Sequence, residues 1–307
     1  MKTPTPLHKG DAVAIVATAR KVCPDDLAAS QRLFESWGLQ TVIPDGLYEH
    51  HGQLAGDDAH RARIFQDALD DPQIKAIICA RGGYGTVRII DRIDWTSFVR
   101  QPKWIVGYSD ATVLHSHIHR HTGCPSLHAT MPINITDDDL IAPSPAVQTL
   151  HQILFNLPLP PYQFPAGDLG RCGNVCAPIV GGNLSILYSL CGSPSDIDTR
   201  DKILLLEDLD EYLYHIDRMM QNLRRCGKLS ELKGLIVGGL TDTHDNPVPF
   251  GLSAQQIIWD CVKEYQYPVC FNAPFGHLGT ENKALPLGIP VTLSVQPHQS
   301  TILIPCC

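Results

Sequence analysis

A chain of 307 residues with 44% hydrophobic and 18% charged content can bury a large core, and its length suits two ordinary domains. The formal net charge of -8, with no basic stripe and no interleaving of aromatic and basic residues, disfavours nucleic acid and other phosphate-rich partners. No apolar run is long enough to span a bilayer, the first residues Met1 to Gly10 lack the apolar core of a signal peptide, and eleven cysteines, an odd number ending in Cys306-Cys307, fit reduced thiols in a cytoplasm.

The first half alternates strand and helix. Asp11 to Thr18 reads as a buried strand. Pro24 and Asp25 open a helix that runs to Trp37, with Leu27, Leu33 and Phe34 on its apolar side, and Gly38 ends it. Thr41 to Ile43 is a second strand, and Asp57 to Leu69 a helix with Ile64, Phe65 and Leu69 inward. Ile74 to Cys79 is a third strand, followed at once by the loop Arg81-Gly-Gly-Tyr-Gly85 and a helical Thr86 to Ile90. Trp104 to Val106 is a fourth strand, and Ala111 to His121 a helix. This alternation predicts an α/β fold, with a parallel, Rossmann-like sheet covered on both faces. Ligands of such sheets sit beyond the C-terminal ends of the strands, where the glycine loop and Ser109 both lie.

Turn formers then dominate, from Thr136-Asp-Asp-Asp-Leu140 through Leu157-Pro-Leu-Pro-Pro161 to Gly167. The chain divides on this reading into an N-terminal domain over 1–140, a linker over 141–170 and a mixed α/β C-terminal domain over 171–307. The C-terminal part holds a strand from Gly173 to Ile179 and a helix from Leu184 to Cys191. A buried strand follows at Ile203 to Leu206, with Glu207 at its end, then an amphipathic helix from Tyr212 to Cys226. A strand over Leu235 to Val237, a helix over Ser253 to Tyr265 and short β runs from Ala284 to Ile304 complete it. Cys172 and Cys176 have no second pair to complete a metal site and read as structural.

Ser109 stands where a strand ends and a helix begins. Gly107-Tyr-Ser-Asp-Ala111 has the outline of a nucleophile elbow, with Ala111 where glycine usually stands, although a serine there can also simply cap a helix. Arg81-Gly-Gly-Tyr-Gly85 has neither the lysine of a phosphate loop nor a full dinucleotide fingerprint. It reads either as a tight turn or as half of an oxyanion hole, in which one N–H of the loop joins that of Asp110, the residue after the nucleophile. A serine nucleophile needs a base and the base an orienting acid. His115, His117, His119 and His121 suggest a metal by spacing, but no Glu lies among them, and a solvated or partly buried helix face is expected. His277, in the loop Asn272 to Thr280, is the better base, and Glu207 could hold it or could merely begin an acidic turn.

Four stretches together resemble the murein tetrapeptide LD-carboxypeptidases, serine peptidases of the S66 type. They are Ala80-Arg-Gly-Gly-Tyr-Gly85, Gly107-Tyr-Ser-Asp110, Leu204-Leu-Leu-Glu-Asp208, and Phe275-Gly-His277 with Pro286-Leu-Gly288 downstream. Order, spacing and length agree over nearly the whole chain. The resemblance implies a triad of Ser109 as nucleophile, Glu207 as orienting acid and His277 as base, with an oxyanion hole from Asp110 and the Gly82-Gly83 loop. It implies no cofactor and no metal, a site at the interface of two domains, and a homodimer. The expected activity is removal of the terminal D-alanine from murein tetrapeptides in cytoplasmic cell-wall recycling. Two other readings stay open: a peptidase of the same fold that cleaves peptidyl-nucleotide antibiotics of the microcin C type, and a sugar- or nucleotide-binding module without chemistry. The first of these would carry an extra aromatic substrate loop, and the segment between Glu207 and His277 reads as ordinary helix and strand.

Overall fold

The computed structural model describes residues 3–305; Met1, Lys2, Cys306 and Cys307 lie outside the described residues. The N-terminal half lays down β1 (Ala12–Val16), α1 (Pro24–Ser36), β2 (Gln40–Val42), α2 (Asp58–Asp70), β3 (Ile74–Cys79), α3 (Thr96–Arg100), β4 (Trp104–Gly107), α4 (Thr112–His121) and β5 (Ser126–His128). Next come α5 (Asp138–Ile141), α6 (Pro145–Leu154), β6 (Tyr162–Pro165), β7 (Gly173–Asn183), α7 (Leu184–Leu190), β8 (Ile203–Leu209) and α8 (Leu213–Arg225). The chain ends with β9 (Gly234–Thr241), α9 (Ala254–Val262), β10 (Val269–Cys270), β11 (Leu285–Leu287), β12 (Pro290–Val295) and β13 (Gln299–Leu303).

Two sheets result. In the first, ordered β11-β5-β4-β3-β1-β2, every pairing is parallel except that of β11 with β5. Its central strands are apolar on both faces because both are covered. Val13, Ile15, Ala76, Ile78 and Trp104 pack into one core, while Ala14, Val16, Ile77, Cys79 and Ile105 pack into the other. The second sheet, ordered β10-β9-β8-β7-β12-β13-β6, is parallel across β10-β9-β8-β7 and antiparallel from β7 to β6. The chain is thus α/β, with a parallel sheet in its N-terminal half and a mixed one in its C-terminal half.

The structure departs from the sequence reading in four places. The stretch expected as a loop-like linker contains α6, whose Val147, Leu150, Ile153 and Leu154 join the first core, and β6, whose Tyr162 and Phe164 alternate into the second sheet's core. Pro145 begins that helix rather than breaking one, since its missing N–H is not needed in the first turn. Residues 86–92 form two short 3-10 turns instead of one helix. Glu207 lies inside β8, which continues to Leu209 through a register shift against β9. Finally β11, from the C-terminal part of the chain, adds to the first sheet, pairing Leu285 with His128 and Leu287 with Ser126.

Candidate active site

Ser109 follows β4 after the single residue Tyr108 and opens a 3-10 turn that leads into α4. Its φ is +61°, a left-handed conformation that costs a non-glycine residue of order 1–3 kcal/mol and persists only where the surroundings impose it. Those surroundings are visible. Asp110 turns inward, fully buried, and its Oδ2 accepts the backbone N–H of Thr86 at 2.9 Å, tying the turn to the end of the glycine loop. Burial pushes the Asp110 carboxyl upward despite that bond. The carbonyl of Gly107 accepts from Nε2 of His115 at 2.8 Å, and Ser126 Oγ meets the other ring nitrogen at 2.8 Å. The histidine run is the partly buried helix face expected of it, with His121 exposed. His115 and His117 form the buried face of α4, and burial drives His115 down to about 3, so it is a neutral structural imidazole.

The glycine loop lies against the elbow. A Cβ on Gly82 would sit 2.8 Å from Cβ and 2.9 Å from Oγ of Ser109, so only glycine leaves room for the serine there. Neither Gly82 nor Gly83 spends its N–H on another acceptor among the described residues.

Glu207 and His277 come from the other half of the chain. Nδ1 of His277 and Oε2 of Glu207 are 2.7 Å apart. The close approach requires Gly276, at φ +97°, because a Cβ there would fall 2.5 Å from Oε2. Glu207 is fully buried. Burial alone would raise its pKa, but the facing imidazoles of His128 and His277 outweigh it and hold the carboxyl at about 2. His128, also fully buried, places Nε2 3.9 Å from Oε1 of Glu207, beyond hydrogen-bond reach but within ion-pair distance. Both ring nitrogens of His128 and that Oε1 lack a hydrogen-bond partner. Burial lowers the pKa of His277, and the bond and charge of Glu207 raise it more, leaving it above the ordinary histidine value.

The two halves meet in one cleft of about 400 Å³, lined by Gly82, Gly83, Ser109 and Asp110 from the first sheet's C-terminal edge and by Asn183, Asp208 and His277 from the second's. The ring of Tyr108 packs 4.8 Å from that of His277, centroid to centroid, setting the imidazole beside the elbow. All six of the residues singled out from the sequence are therefore assembled here: Ser109, Asp110, Gly82 and Gly83 line the cleft with His277, and Glu207 lies behind His277. Sequence reasoning missed His128, Asn183 and Asp208. Asp208 accepts from Asn183 Nδ2 at 2.9 Å and from the N–H of Ser185 at 2.8 Å, and burial followed by the neighbouring Glu207 charge raises it to about 7. Its adjacency to Glu207 was the available signal; His128 had none, being separated from both sheets' motifs in sequence.

Comparison with known proteins places the chain in a family. Residues 13–129 match the LD-carboxypeptidase N-terminal domain and residues 177–293 the LD-carboxypeptidase C-terminal domain. A probable murein peptide carboxypeptidase of Bacillus subtilis is 35% identical over 97% of this chain and 93% of its own length. A murein tetrapeptide carboxypeptidase of Pseudomonas aeruginosa is 28% identical over 90% of this chain and 91% of its own. The crystal structure of muramoyltetrapeptide carboxypeptidase from Oxalobacter formigenes superposes with a TM-score of 0.83 at 26% identity, covering 95% of this chain and 99% of that one. The structure of MccF bound to glutamyl sulfamoyl guanosine superposes at 0.82 and 19% identity, covering 98% of each chain, a likeness of fold alone. The chain belongs to the LD-carboxypeptidase family of serine peptidases, the S66 type.

Proposed function

We propose that this carboxypeptidase removes the terminal D-alanine from murein tetrapeptides by acyl transfer through Ser109, Glu207 and His277. The observation that carries the reading is the 2.7 Å pairing of Glu207 with His277 Nδ1, with His277 lining the same cleft as Ser109. With Nδ1–H donated to the carboxylate, Nε2 is the nitrogen left to face the serine. His277 takes the Ser109 proton as Oγ attacks the scissile carbonyl. The N–H of Asp110 and one from the Gly82-Gly83 loop receive the developing oxyanion. His277 then returns the proton to the leaving amine, and water, activated by the same imidazole, releases the tripeptide. Glu207 keeps the ring in the correct tautomer and stabilises its cation.

On this reading the nucleophile belongs to an N-terminal domain over 1–140 and the acid and base to a C-terminal one over 171–307, joined through 141–170. The enzyme works as a homodimer in the cytoplasm, where wall peptides are recycled. Among the described residues no helix is long and apolar enough to cross a membrane. Incubating the protein with purified murein tetrapeptide, beside an aminoacyl-adenylate analogue, and following both by mass spectrometry tests the assignment. Loss of one alanine from the tetrapeptide is expected; cleavage of the adenylate with an untouched tetrapeptide would replace it with the peptidyl-nucleotide reading.

A further inference from the structure

The cleft holds two guanidinium groups with no carboxylate within ion-pair distance, although Asp110 lies near Arg20 and Asp26 near Arg81. Arg32, Arg61, Arg88 and Arg92 each pair with an aspartate. Arg20 and Arg81, which line the cleft beside Ser109, form no ion pair among the described residues. Arg81 gives one long hydrogen bond, Nη1 to the carbonyl of Lys21 at 3.3 Å, and its buried Nε has no partner. An unpaired arginine on a surface carries no message, because water solvates it well. The position of these two does. A Cβ on Gly83 would lie 2.6 Å from Cδ of Arg20, just as one on Gly82 would strike Ser109. The Arg20 side chain therefore crosses the glycine loop one residue beyond the serine. Its backbone is held there by a bridge to Leu54 and by the bond from Lys21 N–H to the carbonyl of Gln53 at 3.0 Å.

The chemistry of an exopeptidase asks for a cation at such a spot. In a C-terminal residue only the amide nitrogen and Cα separate the scissile carbonyl carbon from the carboxylate carbon, a span of about 3–4 Å from standard bond lengths. Whatever reads the terminal carboxylate must stand immediately past the oxyanion donors. A planar guanidinium matches a carboxylate with two parallel hydrogen bonds. Asp110, Asp208 and Asp210 line the same cleft and would not receive a carboxylate, which leaves the two guanidinium groups as its charged partners there.

We propose that Arg20, with Arg81 beside it, forms the subsite for the α-carboxylate of the departing C-terminal residue and so makes this enzyme a carboxypeptidase rather than an endopeptidase. The inference rests on the carboxypeptidase reading above and names the residues that enforce it. The ligand class is a peptide with a free terminal carboxylate.

The test compares kcat/KM for a murein tetrapeptide ending in free D-alanine with that for its C-terminal amide, in the wild type and in Arg20→Gln and Arg20→Lys. The wild type should prefer the acid by about a hundredfold, the worth of hydrogen bonds to a charged group. Arg20→Gln should bring that ratio close to one, and Arg20→Lys, which keeps the charge but not the fork, should keep part of it. A wild-type ratio near one, or an undiminished ratio in Arg20→Gln, would overturn the carboxylate subsite while leaving the tetrapeptidase reading in place. Failure of the wild type to cleave either peptide would instead overturn the tetrapeptidase reading, and this inference with it.

Discussion

Ser109 spends backbone energy to be where it is. A residue at φ +61° on the turn from β4 presents its Oγ away from the sheet, and the bonds from Thr86 N–H to Asp110 and from His115 to Gly107 keep it so. Ser109→Ala should lose several powers of ten in turnover with an unchanged circular dichroism spectrum, because only the nucleophile is removed. Retained turnover would dismiss the triad. The base gives a second expectation. His277 must be neutral to accept a proton, and Glu207 holds its pKa above the ordinary value of about 6.5 despite burial. The acid limb of the kcat/KM profile should therefore lie above that pH. In Glu207→Gln the raising influence is gone and burial persists, so the limb should move to lower pH while the rate falls by about a thousandfold or more. A limb that stays in place in that variant would separate His277 from catalysis.

At the level of elements, the glycine loop and β8 matter most. The loop after β3 touches the elbow after β4 because adjacent parallel strands end side by side, bringing Gly82 within a side chain's width of Ser109. Gly82→Ala would push its Cβ to 2.8 Å from that of Ser109, so the serine or the loop must shift. A displacement of a few tenths of an ångström to 1 Å should lower kcat by about a hundredfold, with thermal stability hardly changed since the loop is only partly buried. Steady-state kinetics beside a melting curve would check this; loss of stability without loss of kcat would contradict it. In β8, the register shift between Leu206 and Asp208 sits at Glu207, as irregularities beside active sites often do.

The whole molecule depends on contacts between its halves. Thr112 Oγ1, on α4, accepts the N–H of Asn183 at the end of β7 at 3.0 Å, and Asn183 in turn holds Asp208. Thr112→Val keeps the shape and strands that buried N–H. It should cost about 1–3 kcal/mol, a fall of several degrees in Tm, and should also reduce kcat because Asn183 and Asp208 line the cleft. The pH dependence of stability has a definite sign. Glu207, held at about 2, contributes stability that is present above its unfolded value near 4.3 and is lost as pH falls toward 2. His277, raised, contributes stability below about 6.5 that is lost as pH rises through its folded value. Replacing His128 with leucine removes one of the two groups that depress Glu207, so acid unfolding followed by circular dichroism should begin at a higher pH than in the wild type. An unshifted acid transition would mean that His128 does not act on Glu207.

Local signals made much of this legible. Apolar strands with turn formers after them, such as Ile74 to Cys79 before Arg81-Gly-Gly, mark a parallel sheet whatever lies around them, because periodicity and glycine act over a few residues. The same signals placed the glycine loop and Ser109 on one edge of that sheet. Residues 145–165 misled for the opposite reason: their prolines look like breakers, but α6 and β6 are stabilised by cores built from distant segments. The pairing of Glu207 with His277, the burial of His128 against that carboxylate, the return of β11 to the first sheet and the seating of Arg20 over Gly83 were decided only by tertiary structure. Each joins residues about 60 to 160 positions apart, and no local propensity carries information about which distant side chains will share a cleft.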